Sequence, residues 1–273
     1  MKTILITGGA SGLGKGVALH YLAAGDRVIA ISNSTANGEA FMGEAKELGA
    51  EDRAGFFQAD LSLVEETKRI VEAIKSDFPC LDVLAFFASK HSREFSETSE
   101  GFEVSFALDY MSRFILSYGL KKTLEKAHDP IIINVCGTGM KGNVNWNDLQ
   151  HKSYFDPMKV MMHGSRLNEL SGVAFASNDA IGKIKYILYN PMAVQTPGMM
   201  EFSNGAMKLY YTLAANPIEK AVLPIVILLD NPPATVLSAY KKNKNVSLDS
   251  PNFDKEYAIK LYSITKELLD SVG

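Results

Sequence analysis

The feature that most constrains this chain is the octapeptide Thr-Gly-Gly-Ala-Ser-Gly-Leu-Gly at residues 7–14, set between an apolar run and a stretch of helical spacing. Gly8, Gly12 and Gly14 allow a tight turn and a close backbone approach, so a pyrophosphate can lie against the free N–H groups and positive end of the following helix. Such a turn has meaning only with a strand before it and a helix after it. Both are predicted: residues 2–7 are apolar and β-branched, and residues 14–24 keep helical spacing up to Gly25. Ser11 and Leu13 lie inside the turn, and Asp60 with Leu61 closes the third predicted strand. A dinucleotide is the expected ligand; a purely structural turn is the alternative.

Short β-branched runs recur at 27–32, 55–58, 81–88, 131–135 and 184–189, alternating with helical stretches at 64–77, 100–127 and 158–172. Runs such as VLAFF and IIINV are apolar almost throughout, as expected of parallel strands covered on both faces. The predicted fold is α/β: one doubly wound parallel sheet of the Rossmann type, a single domain over residues 1–273. Residues 206–229 read as helix, 230–254 as one edge strand among turns, and the end of the chain as a final helix to Leu269. A net charge of −3 and a pI near 6.0 exclude a basic field for nucleic acid. No apolar run reaches the ~18 residues that span a bilayer, and Met1 leads straight into a strand, so a cytoplasmic location without a membrane partner is expected. Cys80 and Cys136 read as free, small apolar residues, and no Cys/His cluster has metal-ligand spacing.

With its glycine pattern Gly-x-x-x-Gly-x-Gly, the chain resembles the short-chain dehydrogenase/reductase family over nearly its whole length. NVNWNDL at 143–149 resembles most the retinol-dehydrogenase-like branch. The resemblance implies NADP or NAD as cofactor, held by Gly8, Ser11, Gly12, Leu13, Gly14, Asn33, Asp60, Leu61, Ala88, Pro191 and Thr196. It also implies a tetrad of Tyr, Lys, Ser and Asn, and here the chain departs. Aligning SRLNE (165–169) with the family's Ser-Lys-Leu-Ala-Asn puts Met162 at the Tyr and Arg166 at the Lys; the Ser falls on Gly137 beside Thr138, and the Asn on Asp109. A thioether has no proton to give, whereas a guanidinium can still donate to ribose hydroxyls. Asn-Asn-Ala-Gly becomes Phe86-Phe87-Ala88-Ser89, and Pro-Gly becomes Pro191-Met192.

Thr138 and His163 are the candidates to replace the missing groups, though on a helix His163 is turned about 100° from Met162. The opposite charges of Asp109 and Arg166 suggest an ion pair between two helices, and Met158, Met161, Met162, Met192, Met199 and Met200 suggest an apolar pocket lining. After the second strand, Ser32, Asn33, Ser34 and Thr35 replace an acidic residue by neutral donors, which leans toward NADP. Three functions fit: an atypical oxidoreductase on a small apolar carbonyl or alcohol, a silent dinucleotide-binding protein, or a non-redox cyclase or isomerase. A bulky residue at Gly14 is expected to fill the pyrophosphate space, and the triple change Met162→Tyr, Arg166→Lys and Gly137→Ser to restore the standard chemistry. A homo-oligomer paired through the helices at 100–127 and 158–172 is implied by the resemblance.

Overall fold

Strands β1 (Thr3–Thr7), β2 (Arg27–Ser32), β3 (Ala54–Gln58), β4 (Val83–Phe86), β5 (Ile131–Val135), β6 (Lys185–Asn190), β7 (Leu237–Lys241) and β8 (Lys244–Asn245) form one sheet in the order β3-β2-β1-β4-β5-β6-β7-β8. The structure is a computed structural model and describes residues 1–179 and 181–272. β1 to β7 run parallel; only the two-residue β8 turns back on β7. The strand order reverses between β1 and β4, where Ile4 pairs with Val83 and Thr7 with Phe86. At that reversal the crossing connections leave in opposite directions and open a crevice beyond the carboxyl ends of the strands.

The pleat sends alternate residues to opposite faces, and both faces are apolar. Leu5, Ile29, Ile31, Leu84, Phe86 and Ile132 pack under α3 (Val64–Asp77), α5 (Ser112–Gly119), α7 (Pro157–Asn178) and α11 (Lys255–Asp270). Ile4, Ile6, Val28, Ala30, Val83 and Ile133 pack under α1 (Gly12–Ala23), α2 (Thr35–Glu47) and α10 (Ile218–Asp230). One doubly wound domain results.

Four departures from the sequence pattern are local. The helix α2 is not among the helices expected: it starts where Ser34 Oγ accepts the Asn37 N–H at 3.2 Å, and Gly38 lets it lie against Phe56. The helix expected at 100–127 is broken into α4 (Val104–Phe106), a π turn at Ala107–Met111, α5 and α6 (Lys121–Leu124). Residues 206–229 are two helices, α9 (Gly205–Ala214) and α10, preceded by α8 (Pro197–Phe202). β7 is a parallel strand paired along its whole length with β6, so the edge on that side of the sheet is β8. α11 packs along α7, which has few exposed residues, so pairing of two chains through α7 finds little free surface there.

Candidate cofactor and substrate cleft

β1 delivers the glycine turn to the crevice. Gly8 has φ +68° and Gly12 φ +54°, the left-handed region that favours glycine. A Cβ on Gly8 would stand 2.7 Å from the Ala88 nitrogen, so the turn can lie against β4's end only without a side chain. At Gly14 the missing Cβ faces the Gly8 carbonyl and lies 3.1 Å from Phe87 Cβ; the expectation that a side chain there enters pyrophosphate space is corrected, because Gly14 permits helix-to-turn packing. Gly12 faces the open side, where its Cβ would stand 3.7 Å from Thr196 and Pro197. α1 starts at Gly12 with no side chain capping it, which leaves its first N–H groups directed at the cleft.

The cleft holds about 920 Å³ and runs from this turn to the face of α7. Of the residues expected to hold cofactor, Gly8, Ser11, Gly12, Leu13, Gly14, Asn33, Asp60, Leu61, Ala88, Pro191 and Thr196 all line it. Asn33 is exposed with Asn37 beside it, but Ser34 is committed to capping α2 and Ser32 Oγ to the Ser34 N–H. Met192 holds φ +64°, the conformation for which the family's glycine is suited.

At the opposite end the placements change. Met162 and Arg166 do not line the cleft. The helix period turns them about 100° away from the stripe Met161, Gly164, Ser165 and Asn168, which does line it. Met162 faces a second cavity of about 500 Å³. Arg166 is buried and pairs with Glu169, whose Oε1 accepts the Gly139 N–H at 2.8 Å; this holds the guanidinium away from the cleft, so the expected ribose contact and the ion pair with Asp109 are both corrected. Burial pushes the Glu169 carboxyl up to about 7 despite the guanidinium beside it. Thr138 is fully buried, its hydroxyl 3.1 Å from Cys136 Sγ and its carbonyl accepting from Asn190, so it cannot stand in for the missing serine in the cleft. A Cβ on Gly137 would strike Ser165 Oγ and stand 2.9 Å from Met140 Sδ, which corrects the expected rescue by Gly137→Ser. Of the methionines, Met161, Met192 and Met199 line the cleft, joined by Met140.

A buried polar network that the sequence pattern does not announce forms the floor of this end. Arg113, four residues after Asp109, donates to Asn134 Oδ1, to the Val135 carbonyl at 2.9 Å and to the Ala88 carbonyl at 2.9 Å. Asn134 donates to Asn168 Oδ1 at 2.9 Å and to Tyr186 Oη at 3.0 Å. Asn168 donates in turn to the carbonyls of Asp109 and Gly164, both at 2.9 Å. The π turn at Ala107–Met111 contains this Asp109 carbonyl, as such turns often do at functional sites. The Asp109 carboxylate accepts from Ser89 Oγ at 3.1 Å and the Lys90 N–H at 3.3 Å, and burial raises it above the usual carboxylate range despite Arg113. Charged residues inside an apolar stretch, Asp109 and Arg113 at helical spacing, were the available signal.

His163 is buried rather than exposed. Its ring meets His151 edge to face at 4.8 Å between centroids. Burial and the neighbouring His151 hold its imidazole down at about 4, against Asp148. Cys136 lines the cleft as a thiol pushed up to about 11 by burial. Tyr154 is exposed, under the Lys159 ammonium. Among the described residues no three His, Cys, Asp or Glu converge as metal ligands, and no helix is long and apolar enough to cross a membrane.

Residues 2–148 match the family profile described as short chain dehydrogenase. The chain is 30% identical over 206 residues to human dehydrogenase/reductase SDR family member 12, covering 75% of this chain and 64% of that protein. It is 26% identical over 166 residues to mouse retinol dehydrogenase 14, covering 57% of this chain and 50% of that protein. The chain thus spans less than two thirds of the length of these relatives. A short-chain dehydrogenase from Sphingobium yanoikuyae, solved in complex with NADPH, superposes with a TM-score of 0.68 at 14% identity, covering 100% of this chain and 97% of that one. With more than half its length matched by the profile and its sheet ordered as above, the chain belongs to the short chain dehydrogenase family.

Proposed function

We propose that the chain binds NADP or NAD along the cleft and works as an atypical oxidoreductase on a small apolar carbonyl or alcohol. The observation that carries this is the glycine turn opening into a cleft that continues without a break to α7. The residues fit the group: Gly12 leaves room on the open side that a Cβ would fill, and uncapped N–H groups of α1 suit a pyrophosphate. Asp60, exposed and partly held by Ser62, and the amides of Asn33 and Asn37 surround the adenosine end. At the end of β2 there is neither an acidic residue to exclude a 2′-phosphate nor a guanidinium to hold it, so either dinucleotide is accommodated. A bound nicotinamide would accept or supply hydride. The protein's part is to seat a substrate among Leu149, Val160, Met161, Met199 and Phe202, all of which line the far end of the cleft.

A silent, binding-only role is the second reading, favoured by a stripe on α7 that offers a thioether, a glycine and a hydroxyl already bonded to the Met161 carbonyl at 3.0 Å. Calorimetry with the four dinucleotides, followed by turnover with aliphatic aldehydes and alcohols, separates the readings. Binding with slow turnover is expected; no binding at millimolar dinucleotide overturns both. The paired change Met161→Tyr with Ser165→Lys should raise the rate, whereas Met162→Tyr with Arg166→Lys should not, because only the first pair lies on the cleft stripe.

A further inference from the structure

The two cavities share a wall made of two residues. Among the described residues, His151 and His163 alone line both the 920 Å³ cleft and the 500 Å³ cavity beside it. Their rings touch edge to face at 4.8 Å, they are 8% and 4% exposed, and the Nε2 atom of each is buried without a hydrogen-bond partner. Leaving two buried ring nitrogens unpaired costs stability, and such orphans call for an explanation. His151 is moreover held at φ +53°, a left-handed conformation that few residues other than glycine adopt. It is fixed there by the Asp148 turn, in which both carboxylate oxygens accept backbone N–H groups, from Lys152 and Ser153, at 2.9 Å.

We propose that His163 and His151 form a proton relay that carries the acid–base step in place of the missing tyrosine and lysine, with His163 exchanging the proton with substrate and His151 passing it to water in the second cavity. This rests on the reading of the cleft as a nicotinamide-dependent redox site. In the oxidative direction the carbinol C–H bond breaks and its electron pair leaves as hydride to the oxidised nicotinamide ring. The O–H bond breaks with its pair forming the C=O bond, and the proton goes to a neutral nitrogen of His163. No hydrogen bond joins the two rings, so His163 then passes a proton to His151 through a bridging water and is restored. Reduction runs the same transfers backward. A largely neutral His163 suits the base role, since a base must be unprotonated when it acts. Asp148, Lys159 and Tyr154 face the pair from the second cavity, and Glu103 and Asp109 line the cleft side, so the local charge is mixed rather than uniformly acidic.

The test uses wild type, His163→Gln, His163→Asn and His151→Asn, the last chosen because asparagine tolerates the left-handed backbone. Calorimetry measures dinucleotide binding; rates are taken against pH in both directions with aliphatic alcohols and aldehydes; and proton NMR follows the imidazole C–H signals without cofactor. Replacing His163 should lower kcat about 100-fold or more while dinucleotide affinity stays put. Because His151 lowers the His163 imidazole, His151→Asn should move the His163 NMR midpoint upward, and the acid limb of the oxidation profile should move up with it. A purely structural pair would shift the NMR midpoint and leave the rate profile where it was, which overturns the relay. Wild-type kcat in either His163 variant overturns it, as does a wild type that binds dinucleotide but turns over nothing in either direction. Absence of dinucleotide binding to the wild type is a different failure: it removes the redox reading and the relay together.

Discussion

The two ends of the cleft are built from different materials. At the glycine end the contacts available to a ligand are mostly backbone: the N–H groups opening α1 and the close approach of Gly8 to Ala88. At the α7 end the surface is made of side chains, Met161, Ser165 and Asn168 with Gly164 between them, over the Arg113–Asn134 network. A site made of backbone needs only glycines and a strand-to-helix junction, so it persists while the rest changes. A site made of side chains can lose its chemistry one residue at a time and leave the fold intact.

The largest effect that would sharpen this contrast is at Arg113. Arg113→Leu removes the cation and leaves Asn134 Oδ1 and the Ala88 and Val135 carbonyls short of a donor. Leaving buried acceptors without a donor costs ~1–3 kcal/mol each, so a loss of ~3 kcal/mol or more is expected, read from chemical denaturation. A loss below ~1 kcal/mol would mean that the carbonyls find other donors and that this end is not held by the network.

His163 gives the next largest. Its imidazole sits at about 4 when folded, against an unfolded value of 6.5, so the unfolded chain binds the extra proton in that window. The stability it contributes is complete above pH 6.5 and is lost as pH falls toward 4, by at most ~3 kcal/mol. Glu169 runs the other way: raised from 4.5 to about 7, it contributes fully below 4.5 and loses that contribution as pH rises through 7. Denaturation midpoints of wild type and His163→Gln across pH 4 to 7 separate the two, since only the wild type should carry the acid-side loss.

At the glycine end, Gly12→Asn should weaken dinucleotide binding ~100-fold, about 2.7 kcal/mol, with the fold retained, because asparagine tolerates the left-handed backbone and its side chain projects toward Thr196 across the cleft. Gly14→Val should instead show its damage in stability, since its side chain meets the Gly8 carbonyl. Equal behaviour of the two variants would erase the distinction drawn between a ligand-facing and a packing glycine. The smallest effect is expected at Asn33: Asn33→Arg should favour NADPH over NADH by ~10-fold, about 1.4 kcal/mol, and Asn33→Asp should do the reverse, as competition calorimetry would read.

Much of the frame was legible in the chain, because strand and helix periods are local. The strands at 27–32 and 131–135 and the helix at 64–77 fall where the sequence puts them, and the residues expected around the dinucleotide line one cleft, Arg166 excepted. α2 was not legible because its sequence, TANGEAFMGEAKE, has two glycines and little apolar stripe, while Phe41 and Ala45 are recruited by packing against the sheet. The π turn near Asp109 was hidden for a similar reason: its Asp109 carbonyl accepts from Asn168, 59 residues away.

By itself, then, the sequence determined the doubly wound sheet and the glycine turn, and it determined that Met162 has no proton to give where a tyrosine would. Only the tertiary structure decided which face of α7 looks into the cleft. Each residue along a helix rotates the side chain by about 100°, so a shift of one position moves a residue from the cleft to the loop behind it. It was likewise packing across distant segments that set Arg113 beneath the strand ends and brought His151 against His163. Those contacts join residues with no local pattern in common, and the low-dielectric interior that makes them matter exists only once the chain has folded.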